Sequence, residues 1–225
     1  MIHLAGVRAI VTDIEGTTSS IAFVHETLFP YARAHLAKFV ARHPERVAPV
    51  LDAVRATEGV TEEAAVVATM LAWIDEDRKA PPLKALQGMI WREGYEAGEL
   101  TAHVYGDVVP ALRRWRAAGL ALWVYSSGSV EAQKLLFGHS AAGDITPLLD
   151  GYFDTGAGSK TDPASYRRIA TALGLEPGAI LFLTDAPAEI AAARSADMQA
   201  VRLVREGALE VGEAASFAEI EVETG

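Results

Sequence analysis

Val7-Arg8-Ala9-Ile10-Val11-Thr12-Asp13-Ile14-Glu15-Gly16-Thr17-Thr18 is an apolar run that ends abruptly in two acids, a glycine and two hydroxyls. Its length and β-branched content predict a buried strand. Asp13 then falls at the C-terminal end of that strand, the edge at which open α/β sheets bind ligands. Asp13 and Glu15 are two residues apart, and Gly16 lets the chain turn sharply after them. The pattern suits a nucleophilic carboxylate, a second carboxylate for proton transfer, and a hydroxyl at Thr17 that positions them. On this stretch alone, a strand that merely ends in a polar turn is an equal alternative, because acids after strands are common.

Composition narrows the chemistry. A chain of 225 residues, 50% hydrophobic and 22% charged, can bury a large core and has the make-up of a soluble globular enzyme. The net charge of −10 argues against a nucleic-acid-binding surface. It leaves room for an anionic substrate, since a few local cations and a metal can dominate a pocket. There is no cysteine, which excludes disulfides, cysteine nucleophiles and thiolate metal sites. Any metal must be held by oxygen or histidine, and carboxylate ligands favour magnesium-like chemistry. The N-terminus lacks the basic region and apolar core of a signal peptide. No apolar run reaches ~18 residues, so no transmembrane helix, no membrane partner and a cytoplasmic location are expected.

Met1 to Gly6 reads as a short lead-in. Beyond the first strand, helical spacing runs from about Glu26 to Arg42, with Pro30 near the first turn or forcing a break there. Pro44 to Thr57 reads as a second helix ended by Gly59. Thr61 with Glu62 and Glu63 opens a third in the manner of a capped N-terminus. Pro81-Pro82 interrupts the pattern, and a fourth helix carries Leu83, Leu86, Ile90 and Trp91. About 80 residues thus lack a strand candidate and read as a helical insert, placed by its position over the active site. The alternative is that these helices pack on the sheet faces. Strand and helix then alternate: strands at 120–125, 151–154, 179–184 and 198–203, helices at 108–118, from 130, at 163–173 and at 188–196. That alternation means a parallel sheet with right-handed crossovers. The expected fold is α/β, a Rossmann-like doubly wound parallel sheet with an all-helical cap inserted after strand one. Residues 1–20 and 105–225 form the core domain and residues 21–104 the cap. The acidic tail from Glu206 holds one edge strand near Ser216 to Glu221.

Three strands end in chemistry: Asp13 with Glu15, Ser126 with Ser127, and Asp185. In a parallel sheet these ends share one edge. Gly156-Ala157-Gly158-Ser159-Lys160 adds a cation in a loop. Phosphoryl transfer needs each part. A carboxylate nucleophile splits hydrolysis into two easier displacements. Mg²⁺ on Asp13 and Asp185, with Lys160 on a non-bridging oxygen, would neutralise the phosphate. Ser126 and the following N–H can hydrogen-bond the phosphate at a helix N-terminus. Glu15 would protonate the leaving group and then activate water on the aspartyl-phosphate. Singly the signals are weak: Ser-Ser-Gly can cap a helix, Lys160 can be solvated, and Asp185 can cap the next helix. Gly156 to Thr161 echoes a phosphate-binding P-loop, but its first glycine is misplaced and Ser159 stands where the last belongs. No G-x-G-x-x-G follows the first strand, so dinucleotide binding has little support. The histidines show no metal-ligand spacing, and only His25 is placed near the site.

The order acid pair, helical insert, Ser, Lys, Asp, headed by D-x-[D/E]-G-T, resembles the haloacid dehalogenase superfamily over nearly the whole chain. The finer resemblance is to the enolase-phosphatase, or acireductone synthase, family of methionine salvage. It is carried by Asp13 to Thr18, with Glu15 where most relatives have Asp. Ile21-Ala22-Phe23-Val24, Leu28-Phe29-Pro30-Tyr31 and Leu86-Gln87-Gly88 with Trp91 add to it. So do Val124 to Gly138, Phe153-Asp154-Thr155 and Leu181 to Asp185. The resemblance implies that Asp13 attacks phosphorus and Glu15 is its catalytic partner. It implies one Mg²⁺ at Asp13, Glu15 and Asp185, with Glu15 binding through its backbone carbonyl and keeping its carboxylate free. It implies substrate contacts at Ser126, Ser127 and Lys160. The implied substrate is 2,3-diketo-5-methylthiopentyl-1-phosphate, enolised and then dephosphorylated to the acireductone 1,2-dihydroxy-3-keto-5-methylthiopentene. A cap covering the methylthio end and a monomer are also implied. Two places depart from the pattern. Many superfamily members have a second acid earlier than Glu189, which is left as the candidate for a supporting acid beside the site, and the tail after Arg205 matches poorly.

Competing readings remain at this level. A general small-molecule phosphatase of the same superfamily differs only in substrate. A dehalogenase needs neither Glu15 nor a metal. A non-enzymatic binding module would tolerate Asp13→Ala.

Overall fold

The structure is a computed structural model that describes residues 1–224. The chain divides into two units, one of Met1–Ile21 with the residues from Ala102 onward, the other Ala22–Thr101.

In the first unit, Ile2–Val7 (β1) and Ala9–Thr12 (β2) lie either side of Arg8. Every residue of β2 is buried, as expected of a strand covered on both faces. It is flanked by Ala121–Tyr125 (β3) and Ile180–Thr184 (β5), parallel to both. With Gly151–Phe153 (β4), Gln199–Leu203 (β6) and Glu213–Ala214 (β7) they form a sheet ordered β4-β3-β2-β5-β6-β7. All its pairings are parallel, so this is the expected doubly wound sheet. The chain leaves β2 toward β4 and returns to β5 on the other side, which makes the end of β2 a topological switch point. Register sets the site directly: Thr12 pairs with Val124 and Leu183. Asp13 is therefore level with Tyr125 and Thr184, and Ser126 and Asp185 stand one residue beyond.

Two corrections concern the ends of the chain. The lead-in is not irregular: β1 pairs in parallel with Ile220–Thr224 (β8), forming a separate two-stranded sheet. The tail strand accordingly begins later than residue 216 and leaves the edge of the main sheet to β7. Phe217–Glu219 is a 3-10 turn instead. Both strands alternate apolar and polar residues, as in Ile2-His3-Leu4 and Ile220-Glu221-Val222-Glu223, but each is short and the partner that stabilises it lies at the opposite end of the chain.

The second unit is helical. Ile21–Phe23 (α1) leads into a π-helical turn, Val24–Leu28, and then Phe29–Arg42 (α2). The single helix predicted from Glu26 is thus divided. Pro30 has no N–H for the ladder, and the Phe29 N–H closes the wider π turn onto the Val24 carbonyl. Trp91 Nε1–H donates to the Leu28 carbonyl at 2.9 Å. Pro44–Glu58 (α3) ends at Gly59, whose φ of +70° gives the left-handed cap. Glu63–Asp75 (α4) starts after Glu62 with no side-chain cap, so Thr61 does not cap it. Pro81–Glu96 (α5) has its two prolines in the first turn, where they begin the helix. Leu36, Phe39, Met70, Trp73, Leu86 and Ile90 form the centre of this unit's own core. Gly94 lets α5 approach α2: a Cβ there would stand 2.7 Å from the Tyr31 ring.

Back in the first unit, Val108–Ala117 (α6), Val130–Gly138 (α7), Pro163–Leu173 (α8) and Pro187–Arg194 (α9) connect the strands. Tyr125, Tyr166, Ile169 and Phe182 pack beneath the strand ends.

Candidate active site

Asp13 leaves β2 with its N–H on the Leu183 carbonyl at 2.8 Å. Its residue is only 5% exposed. Oδ1 accepts from the Ile14 N–H at 2.7 Å and faces Lys160 Nζ at 2.7 Å. Oδ2 lies 3.3 Å from the Thr184 hydroxyl. That hydroxyl makes a shorter bond, 2.7 Å, to Glu189 Oε2. Lys160 Nζ also reaches Glu189, at 2.8 Å. One ammonium thus bridges two carboxylates, and one threonine links the same two from the β5 side. The lysine is not a solvated loop residue.

Lys160 is placed by its loop. Tyr166 O–H donates to the Lys160 carbonyl at 2.6 Å, and Tyr125 O–H to the Gly158 carbonyl at 3.0 Å. Gly158 has φ +120°, and a Cβ there would lie 2.3 Å from Ser165 Oγ and 2.1 Å from Arg168. Only glycine lets the loop run this close to α8.

Ser126 is buried; its N–H donates to the Phe153 carbonyl at 3.1 Å and its Oγ accepts from the Gly128 N–H at 3.2 Å. The cap of α7 is Ser129, which accepts from the Ala132 N–H, so the Ser-Ser-Gly segment is not consumed in capping. Ala186 occupies the N-cap position of α9, which leaves Asp185 uncommitted to that helix. Ser127 and Glu15 are exposed at the mouth. Asp13, Glu15, Ser126, Ser127, Lys160 and Asp185 all line one cavity of about 660 Å³, together with Glu189 and Ile21.

The electrostatics are those of a crowded acidic site. Burial, and then the charge of Asp13, push the carboxyls of both Asp185 and Glu189 above the ordinary range. Burial alone would pull Lys160 down, but Asp13 and Glu189 outweigh it and hold the ammonium above its usual value. Asp185 presses on the Asp13 turn: a Cβ on Gly16 would stand 2.2 Å from Asp185 Oδ2. Among the described residues no three acidic or histidine side chains converge as a ready cation cluster. The oxygen donors are the two mutually repelling carboxylates of Asp13 and Asp185, beside the Glu15 backbone. That set fits a hard divalent cation that keeps several waters, as Mg²⁺ does.

Gly16→Ala tests this contact. Its φ of +69° already disfavours a side chain, by about 1–2 kcal/mol, and the methyl must displace the Asp185 carboxylate. The variant is expected to melt lower by a few degrees and to lose most of its turnover, measured by thermal denaturation beside a phosphate assay.

Sequence reasoning misplaced or missed some parts. Thr17, expected to position the acids, is buried with no side-chain partner for its hydroxyl among the described residues. Thr18 takes that part, its hydroxyl donating to the Asp13 carbonyl at 3.1 Å. Thr184 was overlooked, although its place before Asp185 on the neighbouring strand made it findable.

Residues 7–197 match the haloacid dehalogenase-like hydrolases as a family. The chain is 55% identical over 224 residues to enolase-phosphatase E1 of Pseudomonas aeruginosa, covering 96% of this chain and 99% of that protein. To the Pseudomonas fluorescens enolase-phosphatase E1 it is 56% identical over 205 residues, 89% of this chain and 90% of that one. A crystal structure of the Unknown transcript 4 protein from Saccharomyces cerevisiae superposes with a TM-score of 0.79 at 32% identity, over 96% of this chain and 97% of that chain. Register, site and kinship agree: the chain belongs to the haloacid dehalogenase-like hydrolases, and among them to the enolase-phosphatases.

Proposed function

We propose that this enzyme is an acireductone synthase. It enolises 2,3-diketo-5-methylthiopentyl-1-phosphate and hydrolyses the phosphate ester, releasing 1,2-dihydroxy-3-keto-5-methylthiopentene and phosphate. The observation that carries the reading is the buried Asp13 carboxylate paired with Lys160 at 2.7 Å, in one cavity with Ser126, Asp185 and Glu15. Residues 22–101 serve in this reading as the cap.

Each residue has a part. Asp13 is the nucleophile: its oxygen bonds to phosphorus as the ester oxygen leaves. Glu15 gives that oxygen its proton and then takes one from the water that opens the aspartyl-phosphate. Lys160 neutralises a non-bridging phosphate oxygen and, through Glu189, cannot drift from Asp13. Ser126 and Ser127 hydrogen-bond the phosphate at the start of α7. Mg²⁺ would be held by the carboxylates of Asp13 and Asp185 and the carbonyl of Glu15, and supplies the positive charge that lets an anion approach a phosphate dianion.

The test follows phosphate release and enol absorbance together on the diketo ester. Both signals are expected, with phosphate release abolished by a chelator and restored by Mg²⁺. Calorimetry of Mg²⁺ binding, weakened in Asp185→Asn, is the companion measurement. Full activity in excess chelator overturns the metal assignment. Equal turnover of unrelated phosphate monoesters, without enolisation, would favour the general phosphatase instead. Among the described residues no helix is long and apolar enough to cross a membrane. The reading takes the enzyme as cytoplasmic and monomeric, which gel filtration beside light scattering checks.

A further inference from the structure

Arg205 follows β6, at the start of the tail. Its side chain is only 9% exposed, and burying a guanidinium is costly unless its donors are used. They are used. Nε donates to the Thr17 carbonyl at 3.0 Å, and Nη2 reaches the same oxygen. Nη1 pairs with Asp107 Oδ2 at 2.8 Å and donates to the Ala215 carbonyl at 3.2 Å. The guanidinium carbon lies 4.2 Å from the centre of the Tyr105 ring and 5.2 Å from that of Phe217.

Thr17 belongs to the turn that carries Glu15 and Gly16. Within it, the N–H groups of Thr17, Thr18 and Ser19 converge on the Ile14 carbonyl at 3.2, 2.9 and 2.8 Å. The turn is thus tightly coiled on itself. Arg205 grips its Thr17 carbonyl, and the Tyr105 N–H takes the Thr18 carbonyl at 3.0 Å. Asp107 also accepts the Phe217 N–H at 2.6 Å, so one carboxylate orients the arginine from the opposite side. Fastening the tail does not account for this. Arg114 already does that, with Nη2 on the Phe217 and Ile220 carbonyls at 3.1 and 3.0 Å.

We propose that Arg205 is a positioning residue for the reaction: it holds the Thr17 carbonyl so that the Ile14–Ser19 turn keeps Glu15 aligned with Asp13 and Gly16 seated against Asp185. The inference rests on phosphoryl transfer at Asp13. Lysine can keep the charge but not the two-sided grip of the fork. Arg205→Lys is expected to lose roughly 10- to 100-fold in kcat, the cost of a small misalignment, with KM little changed. Guanidinium ion at millimolar level should restore part of the turnover of Arg205→Ala. Arg114→Ala, which loosens the tail only, should melt lower with kcat unchanged. Circular dichroism establishes that each variant is folded at the assay temperature. Should neither Arg205 variant fold, Asp107→Asn takes their place. It removes the orienting charge while leaving an acceptor, and should lower kcat in the same sense.

All variants are assayed on the diketo ester and on p-nitrophenyl phosphate. A folded Arg205→Lys, or Asp107→Asn in its stead, with wild-type kcat overturns the inference alone. So does an Arg114→Ala that loses kcat as severely. Wild-type enzyme silent on both esters overturns the functional reading and this inference together. Activity on p-nitrophenyl phosphate only overturns the substrate assignment and leaves Arg205 fully tested.

Discussion

Asp13→Asn is expected to lower phosphate release by at least about three orders of magnitude, the scale of removing a nucleophile from a cooperating unit, while enolisation survives in part. The fold should tolerate the change. Asn can still accept the Ile14 N–H that Oδ1 accepts at 2.7 Å, and Lys160 keeps Glu189 at 2.8 Å. What disappears is the oxygen anion that attacks phosphorus, together with one negative charge at the site. Proton abstraction from the carbon bearing the phosphate ester needs a base and not a nucleophile. The phosphate anchors both steps, so Lys160 and Ser126 still hold the substrate in the variant. The phosphorylated enol should therefore accumulate, seen as absorbance without phosphate. Loss of both signals in a folded variant that still binds Mg²⁺ would show that Asp13 itself takes part in enolisation.

Lys160→Ala is expected to cost about 2–4 kcal/mol of transition-state stabilisation, roughly 30- to 1,000-fold in kcat, above any other lysine-to-alanine change. Two effects combine. The phosphate loses its ammonium partner, and Asp13 and Glu189 are left facing each other in a buried site without the cation between them. Glu189 already holds its proton more tightly than an ordinary carboxyl, through burial and the charge of Asp13. Without Lys160 that affinity rises further, so the acid limb of the pH–rate profile should move to higher pH. Stability carries two linkages, one from each end of the pair, acting at opposite ends of the pH range. The folded-state pKa of Lys160 is raised, so its contribution is fully present below the ordinary lysine value. That contribution fades as pH rises through the folded value. At neutral pH the variant should therefore melt lower, and acidification toward the raised Glu189 value should narrow the gap. A variant with near wild-type kcat and an unmoved acid limb would remove Lys160 from the site.

The helical order of residues 44–96, the alternation of strand and helix, and the acids at the end of β2 were legible because each rests on local chemistry. Apolar periodicity, glycine after a helix, and proline in a first turn act within a few residues. The candidate site was legible for a related reason. In a parallel sheet every strand ends at the same edge, so Asp13, Ser126 and Asp185 could be brought together before any distance was known. Tertiary structure alone decided what depends on register and on distant partners. β1 exists because β8 pairs with it across the length of the chain. Thr18 and not Thr17 serves the Asp13 carbonyl because the coil of the turn selects one hydroxyl. Thr184 joins the site because its hydroxyl stands between Asp13 and Glu189, and Glu189, a candidate acid from the sequence, gains its partner only when Lys160 reaches it. Arg205 meets Thr17 from the far end of the sequence. Such contacts are made by folding, when burial requires each charged or polar atom to find a partner wherever the chain happens to place one.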